Sequence, residues 1–112
     1  MKEERPWGWY EVIDKGSSYK VKSIQVEPGK SLSLQRHMHR SEHWVVVEGT
    51  ALVQVGDNKE FVNVNEGSYV PICAIHRLSN PGKIPLRIIE VQCGNYLEED
   101  DIERFDDEFG RL

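Results

Sequence analysis

Three of the four histidines in this 112-residue chain fall within seven residues of one another. They stand in the run Gln35-Arg36-His37-Met38-His39-Arg40-Ser41-Glu42-His43. Neutral imidazoles and carboxylates are the donors that transition-metal ions take. Side chains alternate along a strand, so a strand through this run puts Ser33, Gln35, His37 and His39 on one face. Leu32, Leu34, Arg36, Met38 and Arg40 then share the other. Two imidazoles two residues apart on one face can reach a single ion. Glu42 opens the next strand, and a turn between the segments can bring it beside the pair. The fourth histidine, His76, lies in Pro71-Ile72-Cys73-Ala74-Ile75-His76-Arg77-Leu78-Ser79-Asn80. The expected ligands are His37, His39, Glu42 and His76, holding one divalent ion: Zn, Co, Mn, Ni or Fe.

The elements that must position these residues read as short strands. Tyr19 to Val26, Ser31 to His39, Trp44 to Val47, Thr50 to Val55, Glu60 to Val64, Ser68 to Pro71, Ile75 to Ser79 and Leu86 to Cys93 are rich in β-formers. Turn signals such as Pro28-Gly29, Gly56-Asp57-Asn58 and Asn65-Glu66-Gly67 punctuate them. Strands of this length and spacing, without helices between them, predict an all-β sandwich or barrel. The ends differ from the body. Residues 1–18 read as an arm whose Trp7, Trp9 and Tyr10 pack on the barrel at 19–97. Ile102, Phe105 and Phe109 stand at i, i+3 and i+7, and Asp100 with Glu103 resembles a capping box, so 98–112 is expected to be a short acidic amphipathic helix.

The net charge of −5 is unevenly spread. Residues 98–112 hold eight acids against two bases, which leaves the rest of the chain at +1. The tail argues weakly against nucleic acid. The near-neutral body leaves an anionic small molecule open. No apolar run is long enough for a membrane helix, and MKEERPWGWYEV has no signal-peptide core. Cys73 and Cys93, without a CxxC, are expected to be buried thiols in a reducing, cytoplasmic compartment.

The full spacing is Gly29-x7-His37-x-His39-x2-Glu42-x6-Gly49, then Gly67-x3-Pro71-x-Cys73-x2-His76-x3-Asn80. It resembles the two signature motifs of the cupin superfamily, with the gap from His39 to Glu42 one residue short and Cys73 at a common glycine position. The short gap leaves His43 as an alternative ligand. QRHMHRSEHWVVVEGTALV, the early Arg5-Pro6-Trp7-Gly8 and the run from Pro71 to the acidic tail resemble, more closely, type II phosphomannose isomerase domains. The resemblance covers roughly residues 5–111. It implies a cupin-type jelly-roll barrel (a double-stranded β-helix) and interconversion of mannose 6-phosphate and fructose 6-phosphate, without the nucleotidyltransferase half that precedes many such domains. A non-catalytic sugar-phosphate module, or another metal cupin enzyme such as a dioxygenase, is the rival reading.

An aldose–ketose exchange needs a proton carrier, an electrophile for the carbonyl oxygen and a grip on phosphate. Glu42, His43 and Glu90 are the candidate proton carriers. Arg40 belongs to the catalytic set if a turn redirects it from the opposite face. Lys20, Lys22, Gln35, Arg40 and Arg77 are the candidate substrate-binding residues, and Arg87 is a weaker cation. Sheets of this kind commonly pair, which protects exposed edges, so a homodimer is expected.

Overall fold

In a computed structural model, residues 1–107, 109 and 110 are described. Among these residues eleven strands run β1 (Lys2–Arg5), β2 (Gly8–Lys15), β3 (Tyr19–Val26), β4 (Leu34–Arg36), β5 (Arg40–Glu48), β6 (Ala51–Val55), β7 (Asn58–Val62), β8 (Gly67–Val70), β9 (His76–Ser79), β10 (Leu86–Gly94) and β11 (Glu103–Asp106). They form two antiparallel sheets, ordered β1-β2-β3-β10-β5-β8 and β11-β4-β9-β6-β7. This is the expected all-β double-stranded β-helix. No helix among the described residues is long and apolar enough to cross a membrane.

Period-two patterning decides what lies between the sheets. Ile24 and Val26 of β3, Trp44 and Val46 of β5, and Leu86 and Ile88 of β10 are buried against Val53 and Leu78 of the opposing sheet. The same inward rows turn polar at one end: Lys22 on β3, Arg40 and Glu42 on β5, Glu90 and Gln92 on β10. Register aligns them, with Glu90 opposite both Lys22 and Trp44, and Gln92 opposite Glu42. One end of the barrel is therefore an apolar core, and the other is a buried polar chamber.

Both ends of the chain add strands to the sheets, and at the C-terminal end this corrects the expected helix. The N-terminal arm forms β1 and β2, joined to the barrel through β3. The described part of the tail contains no helix. Residues Glu103–Asp106 form β11, paired with β4. The Ile102/Phe105/Phe109 stripe does not act as one face: Ile102 lines the chamber, Phe105 is exposed, and Phe109 packs on the core. Contacts far away in sequence override the local helical pattern. Arg36 meets Glu103 at 2.8 Å, and Asp101 accepts the backbone N–H groups of Met38 and His39. Glu108, Arg111 and Leu112, also assigned to that helix, lie outside the described residues. Both cysteines carry free thiols and are exposed, contrary to the expected burial.

Candidate functional site

A turn, not a continuous strand, builds the site. β4 stops at Arg36, the chain turns through Met38 and His39, and β5 starts at Arg40. The turn breaks the alternation, so His37 points inward while the His39 side chain stays 55% exposed, with Nδ1 3.2 Å from Asp101 Oδ1. The donors that converge are His37, Glu42 and His76, all buried, whose ligand atoms lie within 4.8 Å of one another. His39 is outside that group. So is His43, which is exposed on the outer face of β5 against the ring of Tyr69.

Second contacts prepare both imidazoles. His37 Nδ1 lies 2.6 Å from the Asp101 carbonyl and His76 Nδ1 2.9 Å from that of Ala74. A carbonyl only accepts, so each Nδ1 carries the hydrogen and each Nε2 keeps its lone pair. Those Nε2 atoms face Glu42, at 3.4 Å from His37 and 3.9 Å from His76. Burial, with Arg40 nearby, pulls His37 down to about 4, and burial also lowers His76. Both rings are thus neutral at pH 7. Two neutral imidazoles and a carboxylate with converging lone pairs fit a divalent ion. Arg40 is the countervailing element. Its Nη2 lies 3.3 Å from the same His37 Nε2, so a cation there competes with a guanidinium.

Arg40 faces inward because β5 begins with it. It shares a face with Glu42 and Trp44, and its Nε donates to Glu42 Oε2 at 2.8 Å. Trp44 Nε1 donates to both Glu42 Oε1 (3.1 Å) and Glu90 Oε2 (3.0 Å). Gln92 donates to Glu90 Oε1 at 2.6 Å. Burial, reinforced by the neighbouring Glu42 charge, raises the Glu90 carboxyl to about 7 despite Lys22 and Arg40. Two adjacent carboxylates thus stand in different settings: Glu42 is tied to Arg40 and Trp44, and the Glu90 carboxyl is raised towards neutrality.

His37, Arg40, Glu42, Trp44, His76 and Glu90 line a pocket of about 230 Å³ that also takes in Gln35, Lys22, Arg5, Tyr10, Glu99 and Arg104. The Mannose-6-phosphate isomerase C-terminal family model matches residues 1–107. The chain belongs to this family. It is 59% identical over 107 residues to the alginate biosynthesis protein AlgA of Pseudomonas putida, a match covering 96% of this chain and 22% of that protein. It is 56% identical over 108 residues to the mannose-1-phosphate guanylyltransferase ManC of Salmonella typhimurium, again covering 96% of this chain and 22% of the relative. The chain therefore spans about a fifth of the length of these curated relatives. In three dimensions it resembles the Lactobacillus farciminis oxalate decarboxylase in its formate complex, with a TM-score of 0.81 at 21% identity, covering 94% of this chain and 33% of that one. At that identity the likeness concerns the fold alone.

In this mannose-6-phosphate isomerase family domain the candidate cations separate clearly. Lys22 is buried in the pocket, with Nζ 2.8 Å from Glu99 Oε1 and 4.1 Å from the centre of the Tyr10 ring. Lys20 lies outside that pocket and bonds the Leu97 carbonyl and Glu99. Arg77 is on the outer side of β9, paired with Asp106. Arg87 reaches Gln25 and the Trp9 ring. Gln35 lines the pocket, its amide donating to Ser33. Arg5, Tyr10, Glu99, Asp101 and Arg104 were missed, because each sits in a terminal segment that only the closed barrel brings to the site. The short gap between His39 and Glu42 was the available signal for the turn: two residues cannot both finish one strand and reverse the chain.

Proposed function

We propose that this domain interconverts mannose 6-phosphate and fructose 6-phosphate with the help of one divalent ion. The supporting observation is a single pocket that combines three convergent donors, a buried carboxyl near neutrality and several cations. Bound at His37, Glu42 and His76, an ion would supply a Lewis acid for the sugar carbonyl. Glu90 is the proposed carrier of the proton between C1 and C2, because at pH 7 it can both take and return one. Glu42 is the poorer base, since Arg40 and Trp44 engage its two oxygens. His43 faces away from the pocket. Gln35 is suited to orient a sugar hydroxyl. Arg40 fixes Glu42 and contributes positive charge to the chamber, and Lys22 contributes positive charge where it meets Glu99.

The chain is proposed to act as a homodimer in the cytoplasm. The exposed Val45, Val47 and Tyr69 side chains, on neighbouring strands β5 and β8, support pairing through that sheet. Activity is tested with the chain loaded in turn with Zn, Co, Mn, Ni and Fe and supplied with mannose 6-phosphate. Conversion to fructose 6-phosphate that is lost on chelation is the expected result. No conversion with any of the five metals overturns the proposal.

A further inference from the structure

Lys22 is an inward residue of β3, in line with Ile24 and Val26, and its side chain is only 5% exposed. A buried ammonium needs an anion. The anion it has is Glu99, which touches it with both oxygens, at 2.8 and 2.9 Å, while remaining 45% exposed. The pair is lopsided. Lys22 is held between barrel and Tyr10 ring, whereas the half-exposed Glu99 can swing into solvent once another anion takes its place. Other contacts also anchor its segment. Lys20 bonds the Leu97 carbonyl, Asp101 accepts two backbone N–H groups, and Glu103 meets Arg36.

The same pocket shows a second sign of an anion. Arg40, 6% exposed, has Nη1 buried there without a hydrogen-bond partner among the described residues. Arg5 and Arg104 line the pocket too. Partial burial pushes the Glu99 carboxyl up, but the Lys22 ammonium outweighs it and holds the group below the usual carboxylate range. Glu99 is therefore an anion at every physiological pH, and an incoming anion meets a full competing charge.

We propose that Lys22 is the core of the subsite for the substrate's phosphate, and that Glu99 is an internal counter-ion which that phosphate displaces. The inference rests on the reading of the ligand as a sugar phosphate. A phosphate carries more charge and more acceptor oxygens than the carboxylate it replaces. Glu99 holds Lys22 in place between turnovers, at the cost of weaker phosphate binding.

The test is binding of inorganic phosphate to chelator-treated chain, by calorimetry, for the wild type, Glu99→Gln and the double variant Glu99→Gln/Lys22→Met. Glu99→Gln changes a half-exposed side chain, and Met keeps the Lys22 stem volume; thermal melts verify that both variants fold. Glu99→Gln is expected to bind phosphate about tenfold more tightly than wild type, as removal of one competing charge should allow. The double variant is expected to lose that gain. Equal or weaker binding by Glu99→Gln, or a gain that survives the loss of Lys22, overturns the proposal. The readout is independent of turnover. An inert chain with the expected phosphate pattern sinks the isomerase reading alone, and an active chain without the pattern sinks the counter-ion role alone.

Discussion

Replacing Glu90 by glutamine is expected to reverse its effect on stability between pH 4 and pH 8. The carboxyl is 5% exposed and raised from 4.5 to about 7, first by burial and then by the Glu42 charge. The folded chain thus holds this proton more tightly than the unfolded chain does. Linkage fixes the sign: the contribution to stability is fully present below about pH 4.5 and is lost as pH rises through about 7. The loss by pH 8 is roughly 3 kcal/mol. Glutamine does not titrate, so the variant escapes it. Its amide still accepts from Gln92 at the Oε1 position and can donate to Glu42 as the protonated acid does. Trp44 Nε1 loses its 3.0 Å acceptor but keeps Glu42 at 3.1 Å, a penalty of about 1 kcal/mol. Glu90→Gln should therefore be about 1 kcal/mol less stable than wild type at pH 4 and about 2 kcal/mol more stable at pH 8. Urea unfolding followed by tryptophan fluorescence, in chelator at both pH values, measures this. An offset of the same size and sign at both refutes the burial-and-repulsion account of Glu90. Adding a divalent ion should shrink the difference, since a nearby cation lowers the carboxyl.

Other variants probe separate parts of the site. His37→Ala and His76→Ala should each lower metal content by mass spectrometry of the purified chain, while His39→Ala leaves it near wild type; a loss only in the last would move the centre into the turn. Asp101→Asn weakens two charge-assisted bonds, to the N–H groups of Met38 and His39 at 2.9 and 3.0 Å. It should cost about 2 kcal/mol in urea unfolding. By loosening the segment whose Asp101 backbone carbonyl orients His37, it should also weaken metal binding, by up to roughly 10-fold. Cys73 has a φ of 67°, in the left-handed region that favours glycine. Cys73→Gly should keep the Cys73 N–H to His37 carbonyl bond and raise stability by up to about 1 kcal/mol; a clear loss would show that the thiol contact with Met38 matters more.

The sequence was informative where the determinants are local. Tyr19–Val26 is delimited to the residue, because β-branched alternation and a Pro-Gly stop coincide there. The grouping of His37, Glu42 and His76 followed from motif spacing, although His39 was expected with them. His39 was misplaced because alternation was carried through a turn that the spacing only hinted at. The tail was misread because a three-and-four spacing of apolar residues also suits a chain held by distant partners. Arg36 and Glu103 are 67 positions apart and Lys22 and Glu99 are 77 apart, and no window along the sequence joins them. Arg40 points inward because β5 opens on it, which reverses the face that an unbroken strand would give it.

The central claim is that Glu90 moves the sugar proton in this pocket, and deuterium uptake tests it most directly. Metal-loaded chain is incubated with mannose 6-phosphate in D₂O, and the recovered sugar phosphates are examined by proton NMR. The account predicts deuterium at C2 of mannose 6-phosphate or C1 of fructose 6-phosphate with wild type, and at least ~100-fold slower uptake with Glu90→Gln, metal content being unchanged. Uptake at the wild-type rate by Glu90→Gln, or none with the wild type under any of the five metals, would contradict it.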